Sequence, residues 1–441
     1  MFIGPIGRWV HAAEPGRLSL DTMIEALSAA VNAGLAERTG ERGPFMNASA
    51  PQPSRRRTYL LRTAIGVTAT VLVLIGAAFG ATAIMSLPSP PTLVQLMFDP
   101  PSTQGELFAS RTVPASPNPR PLPTADVPMP ETVPWKGSQI PLSEFLDTTK
   151  TNSFVVLRDG AVIHEWYRDG VTETTKQSSW SVAKSVVSLL IGRAIDAGQM
   201  REDDRLVDLL PELATGGDYD KVTIGDLLDM SSGVDVSENY NKWAPFTGTA
   251  RMYLTTDLAE FVEQHRTLIF PPGSTGDYRS VDTQLLGMAL ARVTGTPLGE
   301  LLARDIWAPI GAERDALWNL DRSGGQEKAF CCLNATARDF ARIGQLVADG
   351  GRVGDNQIIP PAWIERISTP SPHRISDEGY AAQWWHPDGG DGADLSAIGV
   401  YGQYIYVDPP SGTVIVKLSD YGTSQDETET FEVFRTIARA G

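Results

Sequence analysis

The chain has 441 residues, 42% hydrophobic and 20% charged, with a formal net charge of −16. That length and apolar content suffice for a large packed core and two or three domains, whereas the acidity excludes a basic face for nucleic-acid phosphates. Cys331 and Cys332 are adjacent and read as buried free thiols rather than a disulfide framework or zinc site; none of the five histidines has metal-ligand spacing, so no metal or cofactor is expected.

Residues 1–63 form an N-terminal segment in which only Leu18 to Glu37 has the pattern of an amphipathic helix; Met46 is an alternative start. Ala64 to Leu87 is a run of 24 residues without a charge, long enough to cross a bilayer core of about 30 Å, a buried core helix being the alternative. Arg55, Arg56, Arg57 and Arg62 precede the run, and the first charge after it is Asp99. The positive-inside rule therefore keeps the N-terminus in the cytoplasm and places all that follows residue 87 outside a bacterial cytoplasmic membrane. Ala81-Thr82-Ala83 offers a cleavage-like site, but the long segment ahead of the run favours an uncleaved single-pass anchor. Residues 88–136 are proline-rich and are expected to be an extended linker or docking arm rather than a helix.

A folded domain is expected over residues 137–441. Ser153 to Tyr167 reads as a hairpin turning at Asp159-Gly160. Helices are expected from Ser181 to about Gly198, then over 222–230, 258–265, 281–293, 298–307 and 335–349, the last capped by Thr336. Strands return over 401–407 and 413–418, and a helix closes the chain from about Glu427 to Ala438. Strands at both ends with helices between them imply an α+β fold, an antiparallel sheet flanked by helices with an all-helical region.

The chemistry is concentrated in Ser181-Val-Ala-Lys184. Serine and lysine three apart on a helix share a face, so a shielded lysine amine can take the serine proton. The plainer reading makes Ser181 a helix N-cap and Lys184 a solvated lysine. Tyr278, in Asp277-Tyr-Arg-Ser280 at a loop-to-helix junction, can share that proton, and its phenol pKa is expected to fall beside an ammonium. Gly399-Val-Tyr-Gly-Gln403 opens a strand where small residues let a carbonyl approach backbone N–H groups.

In this order Ser-x-x-Lys, Tyr-x-Ser and the glycine strand resemble the serine β-lactamase and penicillin-binding superfamily of class C type. The likeness is greatest to 6-aminohexanoate-dimer hydrolases and related carboxylesterases, through Tyr278 to Gly287, Thr336 to Gly344, Gln383-Trp-Trp385 and Gly399 to Gln403. It covers roughly residues 135–441. The resemblance implies Ser181 as nucleophile, Lys184 as general base, Tyr278 as proton shuttle, and the N–H groups of Ser181 and Val400 as an oxyanion hole. It also implies Tyr240, Ser280 and Tyr401 as substrate-binding positions. Ser280 stands where the family has asparagine, and Tyr401 replaces the cation that holds a substrate carboxylate. The expected activity is therefore hydrolysis of small esters or linear amides by an exported, membrane-anchored enzyme. The rival readings are a D,D-peptidase or β-lactamase on cell-wall peptides, and an inactive hydrolase fold acting as a binding module.

Overall fold

A computed structural model describes residues 55–440, Lys242 and Asp391 excepted. The expected helix over Leu18 to Glu37 and the alternative start at Met46 lie outside the described residues. The chain divides into two units, residues 1–71 and 72–441, so the division falls inside the apolar run. That run lies in helix α1, Arg55–Ile84. Its residues 62–84 are the one span among the described residues long and apolar enough to cross a membrane. The helix stops short of Leu87, at a turn where Ser86 has a positive φ of 50°.

The proline-rich segment corrects one expectation, because it contains a helix, α2, Pro90–Phe98. Pro90 and Pro91 occupy its first turn, where a missing N–H costs no intrahelical bond, and Thr-Leu-Val-Gln-Leu-Met continues it. The rest of the arm lies on the body. Ser110–Val113 pairs antiparallel with Ala316–Asn319, and Thr132–Trp135 forms a hairpin with Ser138–Pro141.

The centre of the second unit is a seven-stranded sheet. Its strands are β1 (Thr151–Arg158), β2 (Ala161–Tyr167), β3 (Gly379–Ala381), β4 (Trp384–His386), β5 (Leu395–Gly399), β6 (Gln403–Asp408) and β7 (Thr413–Ser419). Their order is β3-β4-β5-β6-β7-β1-β2, antiparallel throughout. The sequence-distant β7 and β1 pair within the sheet, so both ends of the domain complete one sheet as expected.

Alternation along the strands sets the two faces. Phe154, Val156, Tyr404, Tyr406 and Ile415 pack with Phe431 and Phe434 of the closing helix, Glu427–Arg439. Val155, Leu157, Ile405, Val407, Val414 and Val416 face the larger core with Phe340 and Ile343, from the helix Ala337–Ala348 that Thr336 caps by accepting from the Asp339 N–H. Helices Val182–Asp196 and Ser280–Thr294 also belong to that core. The helical middle region is more broken than the periodicity suggests: 222–230 reduces to Ile224–Leu228, and 298–307 changes from an α-turn to a π-turn at Ala303.

Cys331 and Cys332 correct a second expectation, for they are joined to each other in a disulfide. Cys332 adopts a positive φ of 73°, a turn that brings adjacent side chains together.

Gly344 marks the closest helix-to-sheet approach, since a Cβ there would lie 2.4 Å from Val414 Cγ1 and 2.8 Å from Ile405 Cγ2. Gly344→Leu is accordingly expected to lower the unfolding free energy by about 1–3 kcal/mol through overpacking, read as a lower urea midpoint at unchanged slope; a wild-type midpoint would show that the helix can move off the sheet.

Candidate active site

Ser181 stands at the N-cap position of Val182–Asp196, yet its side chain makes no capping bond. The approach to it is held from three sides. Ser178 pairs with Asn334, the Ser179 N–H donates to the Leu333 carbonyl, and the Leu333 N–H donates to Ser179 Oγ. Trp180, with a positive φ of 48°, then turns the chain into the helix. Gly399 closes the third side: a Cβ there would sit 2.5 Å from the Ser179 oxygen and 3.1 Å from the Ser181 nitrogen. That glycine is what lets the end of β5 reach the start of the helix.

Lys184 is not a solvated lysine; it is 1% exposed. Its Nζ lies 2.9 Å from Ser181 Oγ, 3.1 Å from Ser280 Oγ and 2.7 Å from the Phe330 carbonyl oxygen. The Phe330 carbonyl can only accept. Ser280 Oγ donates to Glu238 Oε2 at 3.0 Å and so has a lone pair for the lysine. A neutral amine has two hydrogens and one lone pair; with the hydrogens on Phe330 and Ser280, the lone pair is left for the Ser181 hydroxyl. Burial pushes the Lys184 ammonium down from its ordinary value to about 7, against the opposing attraction of Glu238 and Asp282.

Tyr278 is partly buried with its hydroxyl within hydrogen-bonding reach of Ser181, and Lys184 Nζ sits 5.1 Å from its ring centre. Trp385 stacks on this ring at 5.5 Å. The expected fall in its pKa is corrected. Burial, aided by Glu238, pushes the phenol up and outweighs the hydrogen bond to Ser181 that favours phenolate.

Tyr240, Ser280, Val400 and Tyr401 line one cavity with Ser181. Tyr240 bonds through its hydroxyl to Glu238, and burial raises its pKa well above the ordinary value, with Glu238 adding to the shift. Tyr401 packs edge-on against Trp180 at 4.9 Å. The Ser181 and Val400 N–H groups donate to no backbone acceptor among the described residues. Two members of the site were missed from the sequence. Glu238 takes the Ser280 N–H at 2.5 Å as well as its hydroxyl; it stands two residues before Tyr240, the only signal available. The Phe330 carbonyl is a backbone atom, which no residue pattern marks. Among the described residues no group of His, Cys, Asp and Glu could hold a metal ion.

Residues 147–434 match the Beta-lactamase family. The chain belongs to the β-lactamase family. Within this family it is 32% identical over 298 residues to the 6-aminohexanoate-dimer hydrolase of Paenarthrobacter ureafaciens, covering 64% of this chain and 75% of that protein. A Bacillus anthracis structure provisionally assigned as a 6-aminohexanoate-dimer hydrolase superposes with a TM-score of 0.69 at 26% identity, over 79% of this chain and 94% of that one. A family VIII carboxylesterase shares the fold, with a TM-score of 0.54 at 16% identity over 68% and 95% of the two chains. The protein is thus a β-lactamase-fold hydrolase-family member related to a 6-aminohexanoate-dimer hydrolase.

The depressed Lys184 pKa has a consequence for stability. Between about 7 and its unfolded value near 10.4, the folded lysine is neutral while the unfolded one holds a proton. Stability therefore rises with pH across this window, by up to about 1.4 kcal/mol per pH unit for this lysine. Lys184→Met is expected to flatten that rise in urea unfolding measured across the window; an unaltered slope would mean that the folded lysine keeps its proton.

Proposed function

We propose that the protein is a serine hydrolase that cleaves small esters or linear amides, of the 6-aminohexanoate-oligomer kind, through an acyl-enzyme on Ser181. The observation that carries this reading is the buried Lys184 amine facing the Ser181 hydroxyl. In the proposed sequence Lys184 takes the Ser181 proton as Oγ bonds to the substrate carbonyl carbon. The N–H groups of Ser181 and Val400 receive the developing oxyanion. Tyr278, neutral throughout its resting state, gives its proton to the departing oxygen or nitrogen and regains one from Lys184. The carbonyl re-forms as the leaving group departs, giving the ester on Ser181. Water then repeats the steps in reverse order: its proton passes to the relay, its oxygen bonds to the acyl carbon, and Ser181 leaves reprotonated.

Ser280 and Tyr240, both hydrogen-bonded to Glu238 behind them, form the polar wall that would orient an ester or amide. Tyr401 in place of a cation argues against β-lactams, and the relative named for 6-aminohexanoate-dimer hydrolysis supports a linear amide. We place the hydrolase domain at residues 137–441 and the anchor at 64–87, with the catalytic side exported; the apolar helix and the preceding arginines support this.

Full-length protein is expected to hydrolyse p-nitrophenyl butyrate, and Ser181→Ala to lose both turnover and fluorophosphonate labelling. Lys184→Ala and Tyr278→Phe should each lose about 10²–10⁴-fold in kcat/KM while remaining folded; near-wild-type rates in either would remove that residue from the mechanism. Since the base acts when neutral, kcat/KM should rise with pH through about 7. Glu238→Gln removes a charge that favours the ammonium, so this acid limb should move to lower pH. An unmoved or upward-shifted limb would reject Lys184 as the titrating group.

A further inference from the structure

The cavity beside Ser181 has a volume of about 280 Å³, near the lower end of the range of about 300–1,000 Å³ for small-molecule pockets. No charged side chain among the described residues lines it, and its wall beyond the catalytic cluster is mostly apolar, Gln104 and Thr249 excepted. One side of that wall comes from the proline-rich arm: Leu87, Leu93 and Leu96 all face it, the last two from α2. Trp243 and Phe246 stand at the rim, 63% and 65% exposed. Nothing in the Ser181 chemistry requires this wall.

The arm is fastened at both ends of the lining segment. The Met85 carbonyl accepts from Arg251 Nη2 at 2.6 Å, and the Ser86 carbonyl accepts from the Thr256 N–H at 2.9 Å. Beyond the lining helix, Gln104 Nε2 donates to the carbonyls of Leu96 and Asp99, each at 3.1 Å, and receives the Tyr253 hydroxyl on Oε1 at 3.3 Å. Trp180, the residue before Ser181, donates from Nε1 to the Pro101 carbonyl at 3.3 Å. The apolar wall is therefore held in register with the serine rather than laid loosely over it.

The direction of the cavity follows from Tyr278. The group that serves the leaving atom is absent from the lining and packs instead with Tyr380 and Trp385. The cavity thus extends from the other, acyl, side of the reacting carbonyl.

We infer that this cavity is an acyl-chain site, and that the preferred substrates are esters or amides of a medium-length unbranched aliphatic acid, with the arm helix as the wall that reads the chain. The inference rests on the serine hydrolase reading for its acyl direction, whereas occupancy by an aliphatic chain can be measured without turnover.

The test uses the full chain and a series of p-nitrophenyl esters from acetyl through hexanoyl and octanoyl to decanoyl. Each methylene buried should raise kcat/KM by roughly three- to fourfold until the cavity is filled. Leu93→Asn in the wall and Phe246→Ser on the exposed rim should each lower the octanoyl-to-acetyl ratio about tenfold or more; the rim variant covers the case in which the wall variant does not fold. In parallel, decanamide is titrated calorimetrically into the Ser181→Ala protein, with saturable binding expected and lost on adding Phe246→Ser. Binding without turnover in the wild-type protein would support chain occupancy and overturn the hydrolase reading, along with the acyl direction that depends on it. Turnover that is flat or falling with chain length, with unchanged ratios in the variants and no decanamide binding, would overturn the acyl-chain site and leave the hydrolase reading standing.

Discussion

A lysine amine removed from water beside a serine hydroxyl is the constraint around which this site is arranged. An isolated ammonium costs several kcal/mol to bury, and the protein avoids most of that cost by letting the group become neutral near pH 7. Once the amine is neutral, Phe330 and Ser280 can take its two hydrogens, which leaves its lone pair for the Ser181 hydroxyl. Glu238 works in the opposite sense, favouring the ammonium while it anchors Ser280. Desolvation outweighs it, so the lysine is poised at a pKa where it can both accept and return a proton.

Holding that arrangement requires elements far apart in sequence. The serine turn is bound to Leu333, approached by Gly399 at the end of β5, and braced by Trp180 against the Pro101 carbonyl. The seven-stranded sheet supplies the rigidity, because β7 and β1 join the two ends of the domain within it and both faces are covered. The proline-rich arm, fastened around the site through Arg251, Gln104 and Trp180, is as much a part of the cavity as the domain is.

Much of this was legible from residues alone. Hairpin, helix and strand boundaries over 151–167, 182–196, 337–348 and 413–419 follow from periodicity, turn residues and the Thr336 cap, because each is decided by neighbours a few positions away. The arm was harder: its prolines argue against a helix in general, and only their clustering in the first turn permits α2. The adjacent cysteines were misread because backbone conformation at Cys332, not spacing, governs whether neighbouring sulfurs can join. The Tyr278 phenol was misjudged for a related reason, since the sign of its shift is set by desolvation of the ring itself, aided by Glu238, which no residue pattern shows.

By itself, the sequence determined the fold class, the apolar helix, and the order Ser181, Lys184, Tyr278, Gly399, because a helical spacing of three and a glycine at a strand end carry their geometry locally. Tertiary structure alone decided the protonation of Lys184, the partnership of Ser280 with Glu238, the role of the Phe330 carbonyl, and the apolar cavity walled by the arm. Desolvation, backbone hydrogen bonding and cavity shape are properties of what surrounds a residue, and those surroundings come from segments as far as 318 positions away in the chain.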